Sequence, residues 1–185
     1  QAEDEDWPAD PRRVAVAPFY LVDLGASGTY AWGEFCAALP YLITTDLQPA
    51  RTLTLLSREH LETIRAELAL SSQAELLSPE TRARLGRLLA ASSFIYGEVQ
   101  ALPGDEVYLA VRWVQTETGA VLLAEQANKR VRKGSDLVAL EREVVVEAFL
   151  PRMLSMLAEG GDDGEDRVAQ QTARARDHFR RRSAQ

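Results

Sequence analysis

Residues 92–131 read SSFIYGEVQALPGDEVYLAVRWVQTETGAVLLAEQANKRV, three apolar runs separated by Pro103-Gly104-Asp105 and by Thr116-Glu117-Thr118-Gly119. The runs are rich in Val, Ile, Tyr and Trp, which fit a pleated and half-buried surface, and the separators are turn residues. The middle run alternates. Val107, Leu109, Val111 and Trp113 fall on one face, with Tyr108, Ala110, Arg112 and Val114 on the other. A period of two with apolar residues on one side means a strand covered on that side. The expectation is a three-strand meander whose second turn places Gly119 at a positive φ.

The rest of the chain supplies strand–helix units. Residues 13–19, RVAVAPF, read as a first strand ending near Phe19. A loop with two glycines follows at 23–28, then a helix from about Thr29 to about Gln48. Phe35, Leu39, Leu42, Ile43 and Leu47 form its inner stripe. Pro40 falls inside that pattern and is expected to kink or divide it. Residues 51–56 read as the next strand. Ser57 is placed as an N-cap, with Leu61, Ile64 and Leu68 at helical spacing behind it. Ser78-Pro79-Glu80 starts a further helix, carrying Leu85, Leu88 and Leu89 inward. After the meander, Gly134-Ser135-Asp136 opens a long helix. Leu137, Leu140, Val144, Val145, Ala148, Phe149, Met153 and Leu157 face inward, and Pro151 is expected to bend it.

Taken with "LGRLLAA" at 85–91, the string "LGRLLAASSFIYGEV…VYLAVRWVQTETGAVLLA" resembles the core of CsgG-like and TolB amino-terminal-like domains of bacterial envelope proteins. Residues 13–19 and the stretch 53–61, a strand running into a helix, are similar to the upstream part of that family. The resemblance covers about residues 12–158. It implies an α/β fold, a three-layer sandwich with a mixed sheet of about five strands and helices on both faces, of the TolB amino-terminal or anticodon-binding-like type. It also implies structural roles for Arg58, where the family has a polar pair between strand and helix, for Gly97 in the strand, and for Gly119 in the turn.

Charge divides the chain into four parts. Residues 1–11 are an acidic tail with Glu3, Asp4, Glu5, Asp6 and Asp10, interrupted by proline and carrying Trp7. Residues 12–158 are the α/β domain. Residues 159–164 are a Gly/Asp linker, and 165–185 form an Arg-rich amphipathic helix with Val168, Thr172, Ala175 and Phe179 on one stripe. That helix is too short to stand alone. It is expected to pack on this domain, on a partner, or on helical repeats following Gln185. Trp7, Arg176, Phe179, Arg180 and Arg181 are the partner-binding candidates, since tryptophan and arginine are enriched at binding hot spots. The chain starts at Gln1 rather than Met, so a removed signal peptide and a trimmed N-terminus are both open.

Net charge is −7, which repels phosphate and argues against nucleic acid. No uninterrupted apolar run of about 18 residues occurs, so no helix spans a membrane. His60 and His178 are the only histidines and sit in separate segments, and no metal-ligand spacing is found. Cys36, the single cysteine, lies beside an apolar stripe with no basic neighbour and reads as an inert buried thiol. The expectation is a non-enzyme with no catalytic, cofactor or metal residues. The resemblance implies a periplasmic or outer-membrane-associated module that binds envelope proteins in an assembly or transport machine. A homo-oligomer is one form of it, and membrane contact is at most peripheral or through an N-terminal lipid anchor. The turns at 103–105 and 116–119 are tight, so no membrane barrel is expected from this chain. Two alternatives stand beside this: a regulator that activates a cell-wall synthase, and a small-molecule or nucleotide-binding enzyme using the 25–28 loop.

Overall fold

The computed structural model describes residues 12–26, 28, 30–50, 53–56, 78, 80–81 and 91–159. Six strands form one mixed sheet: β1 (Arg13–Val16), β2 (Tyr20–Asp23), β3 (Thr54–Leu56), β4 (Ser93–Leu102), β5 (Glu106–Gln115) and β6 (Val121–Arg130). The order across the sheet is β3-β1-β4-β5-β6, with β2 beside β4 next to β1. β1 runs parallel to both β3 and β4, and β2 runs parallel to β4. The β4–β5–β6 meander is antiparallel. Helix α1 (Trp32–Leu47) connects β2 to the β3 region. A long helix closes the domain in three parts: α2 (Gly134–Glu141), a π-helical segment (Arg142–Phe149) and α3 (Leu150–Glu159).

The first strand, expected over residues 13–19, ends at Val16, and an unexpected second strand follows at Tyr20–Asp23. β1 stops at Val16 and pairing with β4 resumes at Tyr20. Pro18 lies in the gap and has no N–H to give to a ladder. The last bond before it is from Ala17 N to Ile95 O at 2.8 Å. Val16 is level with Ile95 and Tyr20 with Glu98, so four steps on this side match three on β4. The extra residue lets Phe19 turn back onto the helix side of the sheet.

Phe19 lands on Gly97. A β-carbon on Gly97 would lie 2.4 Å from the Phe19 ring and 2.0 Å from the carbonyl oxygen of Ala110 on β5. The family-like glycine in β4 is therefore required by packing. It leaves room for a ring above and a neighbouring backbone beside it, and Phe19 is 8% exposed.

The two faces of the meander divide as the alternation requires. Val107, Leu109, Val111 and Trp113 of β5 join Ile95, Val99 and Ala101 of β4 in the main core. α1 brings Trp32, Phe35, Cys36, Leu39, Ile43 and Leu47 to that core, and the long helix brings Leu137, Leu140, Val144, Val145, Phe149 and Met153. On the opposite face Ala15, Phe94 and Val114 are also buried, so the sheet is covered on both sides at its β1 end. The helices expected over residues 57–70 and 79–90 lie outside the described residues, except the start of the second. There Ser78 Oγ accepts a hydrogen bond from Thr81 N at 3.2 Å, as an N-cap does.

Both helical prolines are accommodated without ending a helix. α1 is a single 16-residue helix through Pro40, where the expected division does not occur. Pro40 is buried, and its carbonyl accepts a bond from Thr44 Oγ1 at 2.6 Å. Leu42, expected inward, is half-buried; Cys36 and Pro40 complete the stripe. The long helix meets Pro151 by widening ahead of it: Leu150 N bonds to Val145 O, five residues back. A proline ring crowds the carbonyl four residues before it, and a π turn shifts the bonding pattern by one.

The turns are held locally. Gly104 and Asp105 have φ of 77° and 58°, and Gly119 has 71°. Gly119 N bonds to Gln115 O at 2.9 Å, and Thr116 Oγ1 is buried on Ala91 O at 2.8 Å. In the first turn of the long helix, the Asp136 carboxylate accepts from Arg132 N and Lys133 N at 2.8 and 3.1 Å. The Arg132 amide leads in holding that carboxyl below its usual range.

Gly97→Ala is expected to destabilise the domain by about 1–3 kcal/mol, the usual cost of overpacking a filled site. Chemical denaturation checks this, and an unchanged midpoint contradicts the packing described. Gly119→Val is expected to cost about 1–2 kcal/mol because a β-branched residue is forced into the left-handed region. Gly119→Asn is expected to cost less, since asparagine tolerates that region.

Candidate interaction surface

The face of the meander turned away from α1 and the long helix carries a polar and aromatic array. Cross-strand register sets it. Glu98 is level with Ala110 and Gln126, Gln100 with Tyr108 and Asn128, and Arg112 with Ala124. Side chains of these residues share one face because strand partners do. Gln126 and Asn128 are exposed, and Glu98, Gln100, Tyr108 and Arg112 are half-buried. The Tyr108 hydroxyl hydrogen-bonds Gln126 Oε1, and Gln100 Nε2 donates to Glu98 Oε1 at 3.0 Å. Burial raises the Tyr108 phenol above its ordinary range, with the Arg112 guanidinium opposing and Glu98 adding to the rise. The array thus presents Tyr108, Arg112 and Glu98 in an order fixed by the strand register.

β6 is the edge of the sheet among the described strands. Its other face is tied to the long helix by ion pairs. Arg152 bonds Glu125, and Lys129 Nζ lies 3.6 Å from Glu143 Oε2. Exposed pairs of this kind contribute little to stability; strand alternation puts Gln126 and Asn128 on the open side, opposite Glu125 and Lys129.

The glycine loop before α1 is occupied by the protein itself. Asp23 Oδ1 accepts from Gly25 N at 2.9 Å and from Ala26 N at 3.1 Å. A phosphate would need those amides and would meet a carboxylate in place of a cation. The loop is an Asx turn of the kind Asp favours. Cys36 is buried, and burial pushes its thiol up to about 11, far from a nucleophilic thiolate.

Of the residues singled out in the sequence, Gly97 and Gly119 stand in the strand and turn described above. Trp7, Arg58, Arg176, Phe179, Arg180 and Arg181 lie outside the described residues, as do His60 and His178. The open face went unnoticed in the sequence, although the same alternation that placed the core also placed it. A second unnoticed feature is a buried acid, Glu141, on the inner side of the long helix. Its signal was present too: it falls four residues after Leu137 and three before Val144, in the apolar stripe.

No protein-family model matches the chain, and no curated protein matches its sequence. Solved structures do. Lipoprotein GNA1162 from Neisseria meningitidis is similar over 78% of this chain and 97% of that one, with a TM-score of 0.54 at 16% identity. The C-terminal domain of LpoB from Salmonella enterica is similar over 65% of this chain and 83% of that chain, with a TM-score of 0.47 at 15% identity. TolB from Acinetobacter baumannii matches 70% of this chain and 27% of its own length, with a TM-score of 0.38 at 14% identity. The α/β fold, a mixed sheet with helices, is thus one that a bacterial lipoprotein also has. At this identity the likeness assigns no residue a role.

Because Asp23 fills the glycine loop, millimolar nucleotide or inorganic phosphate is expected to leave the melting temperature unchanged. A saturable upward shift in a thermal titration contradicts this, since a ligand that binds only the native state must stabilise it.

Proposed function

We propose that this chain is a non-enzymatic protein-binding module of the bacterial envelope, periplasmic or outer-membrane-associated, acting in an assembly or transport machine. The observation that carries the reading is the open face of the meander. A rigid sheet, backed by a full core, presents Tyr108 and Arg112 among exposed amides. Tyrosine and arginine dominate binding hot spots because each combines apolar contact with directed hydrogen bonds. The fold shared with a lipoprotein and the resemblance of the 85–131 segment to envelope domains support the location.

The module works without its own membrane barrel in this reading. Strands of a barrel need one face for lipid. Here the inner faces of β4 and β5 are spent on the core, and β6 carries Glu125, Gln126, Asn128, Lys129 and Arg130. No helix among the described residues is long and apolar enough to cross a membrane. The acidic segment 1–11 with Trp7, and the segment 165–185 with Arg176, Phe179, Arg180 and Arg181, belong to the same proposal as further partner contacts.

The test is capture of a partner from a bacterial envelope extract, followed by affinity measurement with the purified partner. Arg112→Ala and Tyr108→Ala are each expected to weaken binding at least about tenfold, or about 1.4 kcal/mol, with the fold retained by circular dichroism. Undiminished affinity in both variants places the contact elsewhere and contradicts the reading.

A further inference from the structure

β6 is the outer strand of the sheet among the described residues, and it contains no proline. Its one irregularity, an extra residue at Leu122, lies at one end; from Leu123 to Arg130 its register is regular. The ladder bonds decide which backbone groups it shows. Val131 N donates to Asp105 O at 2.8 Å, one step past the Glu106–Arg130 pair. Bonded pairs alternate along an antiparallel ladder. Glu125, Ala127 and Lys129 therefore give their N–H and C=O groups to β5, while Ala124, Gln126, Asn128 and Arg130 turn theirs outward. No described strand pairs with that outer row.

A long regular edge is normally guarded, and charges on the covered side of the sheet are one such guard. Glu125 and Lys129 stand on that side, level with Val111 and Val107 of the core. They are opposite in sign and four positions apart. Pairing two copies of β6 antiparallel, about a two-fold axis at Ala127, places Glu125 of each copy opposite Lys129 of the other. Directly opposed charges of unlike sign favour a strand pair, and like charges disfavour it. In that register Gln126 also meets Asn128, and the small Ala127 meets itself. An axis at Glu125 or at Lys129 would stack like charges. An axis at Gln126 or Asn128 would leave both charges opposite Ala127, Leu123 or Val131.

We propose that β6 is a self-pairing edge, through which two copies of this chain join their sheets with the axis at Ala127. The two outer rows exchange about eight backbone hydrogen bonds, and two Glu125–Lys129 contacts fix the register. Arg152 and Glu143 already bond these side chains from the long helix. A carboxylate accepts, and an ammonium donates, more than one bond, so both keep capacity for the second copy. The axis stands perpendicular to the sheet, and the open faces of the two copies lie side by side. The inference goes beyond the partner-binding role and does not depend on it, since it concerns the purified chain alone.

The test is sedimentation equilibrium of the full chain, which is expected to give a dimer. Gln126→Pro removes an outward donor and no bond to β5, so it is expected to yield a folded monomer by circular dichroism. Glu125→Lys and Lys129→Glu, each alone, are expected to weaken dimerisation about tenfold or more by opposing like charges. The two reversals together are expected to recover most of the loss, which a merely structural role for either residue would not produce. A chain that stays monomeric up to millimolar concentration overturns the proposal. So does a dimer that persists undiminished in any of the single variants that folds.

Discussion

The contact of Phe19 with Gly97 sets the geometry on which the domain depends. β4 is the central strand, paired with β1 and β2 on one side and β5 on the other. The missing side chain at Gly97 lets β5 approach and gives the Phe19 ring a seat. That ring can reach the seat because Pro18 interrupts the ladder and adds one residue to the first strand. The interruption restores pairing at Tyr20 in a register that continues the mixed sheet. One glycine and one proline, 79 positions apart in the chain, thus decide how the parallel half of the sheet meets the meander.

Much of this was legible in the sequence where a periodic pattern spoke for itself. The two-residue period of β5 gave the core face, and the i, i+4 stripes of α1 and the long helix gave their inner sides. The division expected at Pro40 did not occur, for a physical reason. A proline excludes one hydrogen bond, but whether a helix then breaks depends on what packs around it. Pro40 is pressed into the core, and burial outweighs one lost bond. Pro151 follows a stretch that widens to π geometry. In β1, by contrast, Pro18 has a neighbouring strand that needs the missing donor, and the strand divides.

The functional features were less legible. A carboxylate in an apolar stripe, Glu141, was visible by spacing, but only the fold shows that it is buried. Likewise the glycine loop looked open until Asp23 was seen to satisfy its amides. The polar face of the meander carries no motif at all. It consists of ordinary residues made into a surface by register, so single-position reading passes over it. The candidates chosen for their types, Trp7 and the C-terminal arginines, lie outside the described residues and remain part of the proposed binding role.

The account centres on a rigid sheet whose open side meets a partner. The most direct test is a hydrogen-exchange footprint of the chain with and without its purified envelope partner. Protection is predicted over residues 108–112 of β5 and 126–128 of β6, with α1 unchanged. Protection confined to the glycine loop and α1, with the meander unaffected, would contradict it.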